Sequence, residues 1–308
     1  MSSNPHPSPY PLESSSPLPA VSGPSEGGAP AALGTSSPPV GAESTEISLE
    51  HWIYGVSPDR GYGTRCVSTG LNPQLYVRHL AGHFTPVRVE KTTGGSTVID
   101  ARMVHPVQAA GELLLSVLGR GAADEYNRPT IQNHTVIVPQ TLLRSGRLAL
   151  ADVERAVLEF DRARPTVRGS MDPLAVPLRR VEATDGVQPA IRRLMTKASV
   201  DTLVTRLLGD PHGRTLVLCR GATNEARNEL LYALIELLCL DAELPLFTCI
   251  SDAPTLSAMN HFRLAIASRG VRADASWLLL DSSLEKPALP NLRSKALIYA
   301  RIAQAYGL

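Results

Sequence analysis

The chain lacks three things that would each have pointed to a class of function. It has no surplus of charge: 30 basic residues against 29 acidic ones leave a formal net charge of +1. The molecule as a whole therefore exerts no field that would draw nucleic acid or an anionic membrane toward it, and neither is expected as a partner. It has no apolar run long enough to span a bilayer, and its first residues form neither a basic n-region nor an apolar h-region. A cytoplasmic location is the expectation that follows. It has no Cys-x-x-Cys pair among its four cysteines, Cys66, Cys219, Cys239 and Cys249. The last three stand inside apolar runs, as reduced core thiols do. Lysine is also scarce, occurring only at Lys91, Lys197, Lys286 and Lys295. The arginines that supply the remaining positive charge are scattered, which reads as compositional preference rather than as an anion-binding array.

What is present is a chain of 308 residues, 43% hydrophobic, with a mean hydropathy of -0.02. That is enough to bury a substantial core and to build two ordinary domains. Residues 1–46 hold ten of the 25 prolines, many Ser and Gly, and only Glu13, Glu26, Glu43 and Glu46 as charged groups. Such a stretch cannot bury enough apolar surface to offset its chain entropy, so it is predicted to be a disordered tail.

Periodicity organises the rest. His51–Val56 and Tyr62–Ser68 read as paired strands around a Ser57–Gly61 turn. Pro73–His83 reads as a short helix. Val87–Glu90 and Thr97–Met103 alternate about Thr92–Gly95 as a hairpin, and Leu113–Leu118 and Thr135–Val138 have the length and apolarity of interior strands. Val153, Ala156, Val157 and Phe160 fall on one stripe of a helix over 149–162 that Pro165 closes. Beyond a Pro- and Gly-rich linker at 165–186, the pattern alternates. A helix over 187–208 precedes a strand at 215–219 and a helix capped by Thr223 that is apolar almost all round. Strands at 244–250 and 275–281 and a helix at 291–306 follow. The prediction is an α+β fold: a mixed, largely antiparallel N-terminal sheet domain over 47–164, then a smaller α/β domain over 187–308.

Chemistry is harder to find. His79 and His83 share a helical face, but no third ligand is picked out by spacing, so no metal is expected. Arg220-Gly221-Ala222-Thr223-Asn224 joins a strand to a helix without the glycines and lysine of a phosphate loop; it reads as a plain turn, and no cofactor is expected. Eight basic residues against four acids between Asp161 and Lys197 give a local excess without aromatic interleaving, which reads as a solvated face. No Gly-x-Ser-x-Gly elbow occurs. Cys66 is the one cysteine outside an obvious core run, with His51 or His134 as a base only if folding brings them together. The most distinctive segment runs from Asp124 to Val138, where a polar loop enters a buried strand at His134. That histidine is expected to bond Asp124 or the backbone and order the loop.

Several of these residues carry a family resemblance. Ile53-Tyr54-Gly55 with Ser68-Thr69-Gly70-Leu71, then Leu115–Leu118 with Asp124, Asn127-Arg128 and Asn133–Ile137, resemble the N-terminal module of the bacterial GTPase-associated protein family. Leu216–Cys219 with its helix and Leu246–Ile250 are similar to that family's middle module. Asn127 stands where the family usually has glycine. The resemblance implies a non-enzymatic adaptor that binds a partner protein, a GTPase, in a bacterial NTP-dependent conflict or signalling system. It brings no catalytic residues with it. The interaction or loop-ordering candidates are Tyr54, Asp124, Arg128 and His134. The rival reading is a hydrolase or transferase that uses His134 with Asp124 or Cys66.

Overall fold

The computed structural model describes residues 45–57, 61–76, 91–92, 95–96, 101–121, 130–164, 168–179, 187–210, 212–239, 246–251, 262–268, 277–283 and 285. All of them belong to the unit Glu43–Leu308. Residues 1–44 of the predicted tail, the 77–83 part of the Pro73–His83 helix, the hairpin arms at 87–90 and 97–100, and the 291–306 helix lie outside the described residues, as do His79, His83, Asp124 and Arg128; the tail's last residue, Glu46, opens a strand.

The first half is strand-rich. It contains β1 (Glu46–Leu49), β2 (His51–Ser57), β3 (Gly61–Ser68), the two-residue β4 (Lys91–Thr92) and β5 (Gly95–Ser96), β6 (Arg102–Val107), β7 (Glu112–Arg120) and β8 (Ile131–Pro139). Two helices follow, α1 (Gln140–Arg144) and α2 (Leu150–Ala163). The stretch predicted as a linker contributes two short strands, β9 (Gly169–Met171) and β10 (Leu174–Pro177). β9 pairs in parallel with β3, and β10 pairs antiparallel with β1. The second half holds α3 (Val187–Leu194), α4 (Lys197–Gly209), β11 (Arg214–Leu218), α5 (Asn224–Cys239), β12 (Cys249–Ser251), β13 (Leu264–Ala267) and β14 (Trp277–Asp281).

Ten strands form one mixed sheet in the order β14-β11-β13-β12-β6-β7-β8-β2-β3-β9. The α+β class is therefore observed. The strands from β12 to β14 are parallel to one another, those from β6 to β3 are antiparallel, and the two sets meet where β12 pairs antiparallel with β6. Strands from either side of the predicted linker are thus hydrogen-bonded in a single sheet.

A period of two sorts the side chains onto two faces. One face carries Val104, Leu115, Val117 and Val136 and packs against Val153 and Val157 of α2, Leu203 and Val204 of α4, and Leu230 and Leu234 of α5. The opposite face carries Trp52, Leu114 and Ile137 in one cluster and Met103, Leu216, Ile250 and Phe262 in another. The helix predicted over 187–208 is two helices. Thr196 stops the first and starts the second: it adopts an extended backbone, and its hydroxyl accepts a hydrogen bond from Ser199 N at 3.2 Å. A capping threonine in mid-pattern breaks a helix even when the apolar stripe runs on. β13 (Leu-Ala-Ile-Ala) was not anticipated, because four apolar residues carry no period of their own.

Candidate functional site

A hydrogen-bonded row of titratable groups lies under α2, on the helix-covered face of the sheet. In β2, His51 and Ile53 point to the same face; in β8, His134 and Val136 do. The strands pair with Ile53 opposite His134 and His51 opposite Val136, so the two imidazoles become diagonal neighbours. On α2, Asp161 continues the stripe of Val153 and Val157 and is carried down onto that face. The outcome is a row of hydrogen bonds. Asp161 Oδ1 lies 2.9 Å from His134 Nδ1, His134 Nε2 lies 2.7 Å from His51 Nδ1, and His51 Nε2 lies 2.9 Å from the carbonyl oxygen of Asp172. The rings stack with centroids 5.0 Å apart, and Phe160 meets both edge-on at 5.0 and 5.6 Å. Both histidines are fully buried.

The row fixes its own protons. A carbonyl oxygen only accepts, so His51 Nε2 carries a hydrogen and donates to Asp172. Burial first, and the adjoining His134 ring second, lower the His51 pKa to about 4, although the Asp172 carbonyl and Asp161 oppose this. Neutral His51 thus offers Nδ1 as an acceptor, and His134 Nε2 must donate to it. At the other end of the row, the Asp161 carboxyl closes on His134 Nδ1. Both ring nitrogens of each histidine are thus engaged inside the protein, and neither imidazole has a lone pair left to offer a substrate as a general base.

Among the described residues the carboxylate partner of His134 is Asp161; Asp124 lies outside them. Cys66 is not a partner of either histidine. It pairs across from Ile53, which places β2 between Cys66 and His134, a separation of roughly 10 Å at ordinary strand spacing. It is 1% exposed, in a cluster with Ile53 and Met171 against which Phe160 packs, and burial pushes its thiol pKa up. A buried thiol above its ordinary pKa is a poor nucleophile. Cys219, Cys239 and Cys249 are buried and free, as their apolar runs implied. Tyr54 faces the other side of the sheet, where it packs with the Trp52 cluster and stacks on Tyr62 at 6.4 Å. The structure does not bring Tyr54 and His134 together.

The turn between β11 and α5 behaves as a plain turn. Gly221 takes the left-handed conformation at φ +73, and Thr223 Oγ1 accepts from Ala226 N at 3.2 Å. The Arg227 guanidinium, buried beside it, donates to Ala222 O and to Asn224 Oδ1. Among the described residues no group of three His, Cys, Asp or Glu side chains is placed to hold a metal ion, and no helix is long and apolar enough to cross a membrane.

Sequence reasoning missed His51 as a partner of His134, and it missed Asp161 altogether. Both signals were present: each is a polar residue at a position where the period puts the core. No protein-family model matches the chain, and neither does any curated protein.

Proposed function

We propose that this chain is a non-enzymatic adaptor that binds a partner protein, a GTPase, within a bacterial NTP-dependent conflict or signalling system. The observation that carries the non-enzymatic part is the closed row from Asp161 to the Asp172 carbonyl. Its two histidines are buried with both ring nitrogens of each engaged, and Cys66, with β2 between it and His134, is buried and protonated. Such an arrangement joins α2, β8, β2 and the β9–β10 turn, which is the work of a clamp. The partner class comes from the resemblance of Ile53–Gly55, Ser68–Leu71 and the Asp124–Ile137 segment to the GTPase-associated family.

The clamp and the rival hydrolase or transferase reading part at one substitution. In His134→Gln, a clamp loses its central link, so urea unfolding should show a clear drop in stability. A variant with wild-type stability that has lost a turnover detected by substrate screening would instead make His134 a catalytic residue and overturn the adaptor.

A further inference from the structure

We propose that the cavity between α2, α3 and α5 binds a small organic anion, a carboxylate with a short apolar body, which Arg179 holds by charge and Glu236 by a donated hydrogen bond. The inference is independent of the adaptor reading. The cavity encloses about 310 Å³, and none of its lining residues belongs to the histidine row. That volume falls at the small end of ligand sites, roughly 300 Å³ and upward. Ala149, Ala151, Ala190 and Ala233 line it, and short side chains at four positions on three helices leave the space that larger ones would fill.

The polar groups are few and directed. Arg179 donates from Nε to Asp152 Oδ2 at 2.6 Å, and among the described residues its two terminal nitrogens have no acceptor. They form the fork that a carboxylate accepts from in parallel. Glu236 accepts from Leu150 N at 3.0 Å through Oε1, which satisfies the first N–H of α2 where Ala149 has no side chain to do so. Its other oxygen has no described partner. At the mouth, Arg193 pairs with Glu229, both about half exposed.

Charge decides between an anion and a cation. Asp152 is shared by two guanidinium groups, Arg179 and Arg155, so that wall has one positive charge in excess. Arg193 and Glu229 cancel. Burial raises the Glu236 pKa to about 7, with Asp152 adding to the rise and the Leu150 N–H and Arg179 opposing it. The other titratable neighbours stay neutral: burial raises the hydroxyl of Tyr232, which lines the cavity, well above its ordinary pKa, and pushes the Cys239 thiol behind it up to about 12. A protonated Glu236 donates to an anion. An ionised one repels it. The start of α2 adds the positive end of a helix dipole at the same wall.

Calorimetric titration of the full chain tests this with benzoate and with benzamidine, a cation of the same shape, one pH unit on either side of 7. Benzoate should bind, and roughly tenfold more weakly at the higher pH, because only the protonated fraction of Glu236 accepts it. Benzamidine should give no heat. Glu236→Gln keeps an acceptor for Leu150 N–H and presents a permanent N–H donor, so its benzoate affinity should be the same at both pH values. Arg179→Met should lose at least tenfold. Benzoate giving no heat at either pH, preference for benzamidine, or a pH dependence that survives in Glu236→Gln would each overturn the assignment.

Discussion

Two side chains respond to pH in opposite senses, and the sense follows from burial. His51 has a folded pKa of about 4 against 6.5 when unfolded. Above pH 6.5 both states are neutral and nothing is at stake. As pH falls from 6.5 to 4, only the unfolded chain takes up the proton, so stability is lost, by roughly 3 kcal/mol at most. Glu236 has a folded pKa of about 7 against 4.5. Below pH 4.5 both states are protonated. As pH rises from 4.5 to 7 the unfolded chain releases its proton first, and stability again falls, by a similar amount of roughly 3 kcal/mol. We therefore expect His51→Asn to remove the acid-side loss and Glu236→Gln to be more stable than the wild type above pH 7 yet equal to it below 4.5. Urea midpoints measured from pH 4 to 8 check both, and parallel curves for wild type and variant would contradict either assignment. Ring-nitrogen NMR offers a second reading of the row: His51 should show a protonated Nε2 and an unprotonated Nδ1. The opposite tautomer would leave the Asp172 carbonyl without its donor and contradict the row.

At the scale of elements, local signals were legible where a single period or cap governs and illegible where distant residues do. Val153, Val157 and Phe160 announced α2, and the run from Leu230 to Cys239 announced an α5 buried nearly all round. Thr196 was overlooked because the apolar stripe continues across it. We expect Thr196→Ala to cost about 1 kcal/mol, the ordinary value of a lost N-cap, read as a lower urea midpoint with an unchanged slope. An unchanged midpoint would mean that the α3–α4 break has another cause. The strands around His134 were visible as apolar runs, yet its partners were not. Asp161 lies 27 residues away on a helix and His51 lies 83 residues away on a strand, and no one-dimensional period brings an acid on α2 over a histidine on β8. Nearness in sequence offered Asp124, which lies outside the described residues.

For the whole molecule, the β6–β12 seam decides how the two halves behave. Arg102 of β6, buried, bonds Glu154 of α2 at 2.5 Å and the carbonyls of Ala101 and Leu118, while its backbone N–H donates to Ser251 Oγ of β12 at 2.9 Å. Ser251 in turn donates to Asn228 Oδ1 of α5. A sheet continuous across this seam should unfold as one unit. Glu154→Gln, which leaves a buried guanidinium without its counter-charge, should lower that single transition by roughly 3 kcal/mol. Two separate transitions in the wild type would show instead that the halves are independent modules. The functional claim, that the chain docks rather than reacts, is tested most directly by purifying it under native conditions from a cell that expresses it at its own level, with its co-purifying proteins identified by mass spectrometry. The account predicts a GTPase in the complex, recovered in near-equal amount with the chain. Repeated recovery of the chain with no NTP-hydrolysing partner would contradict it.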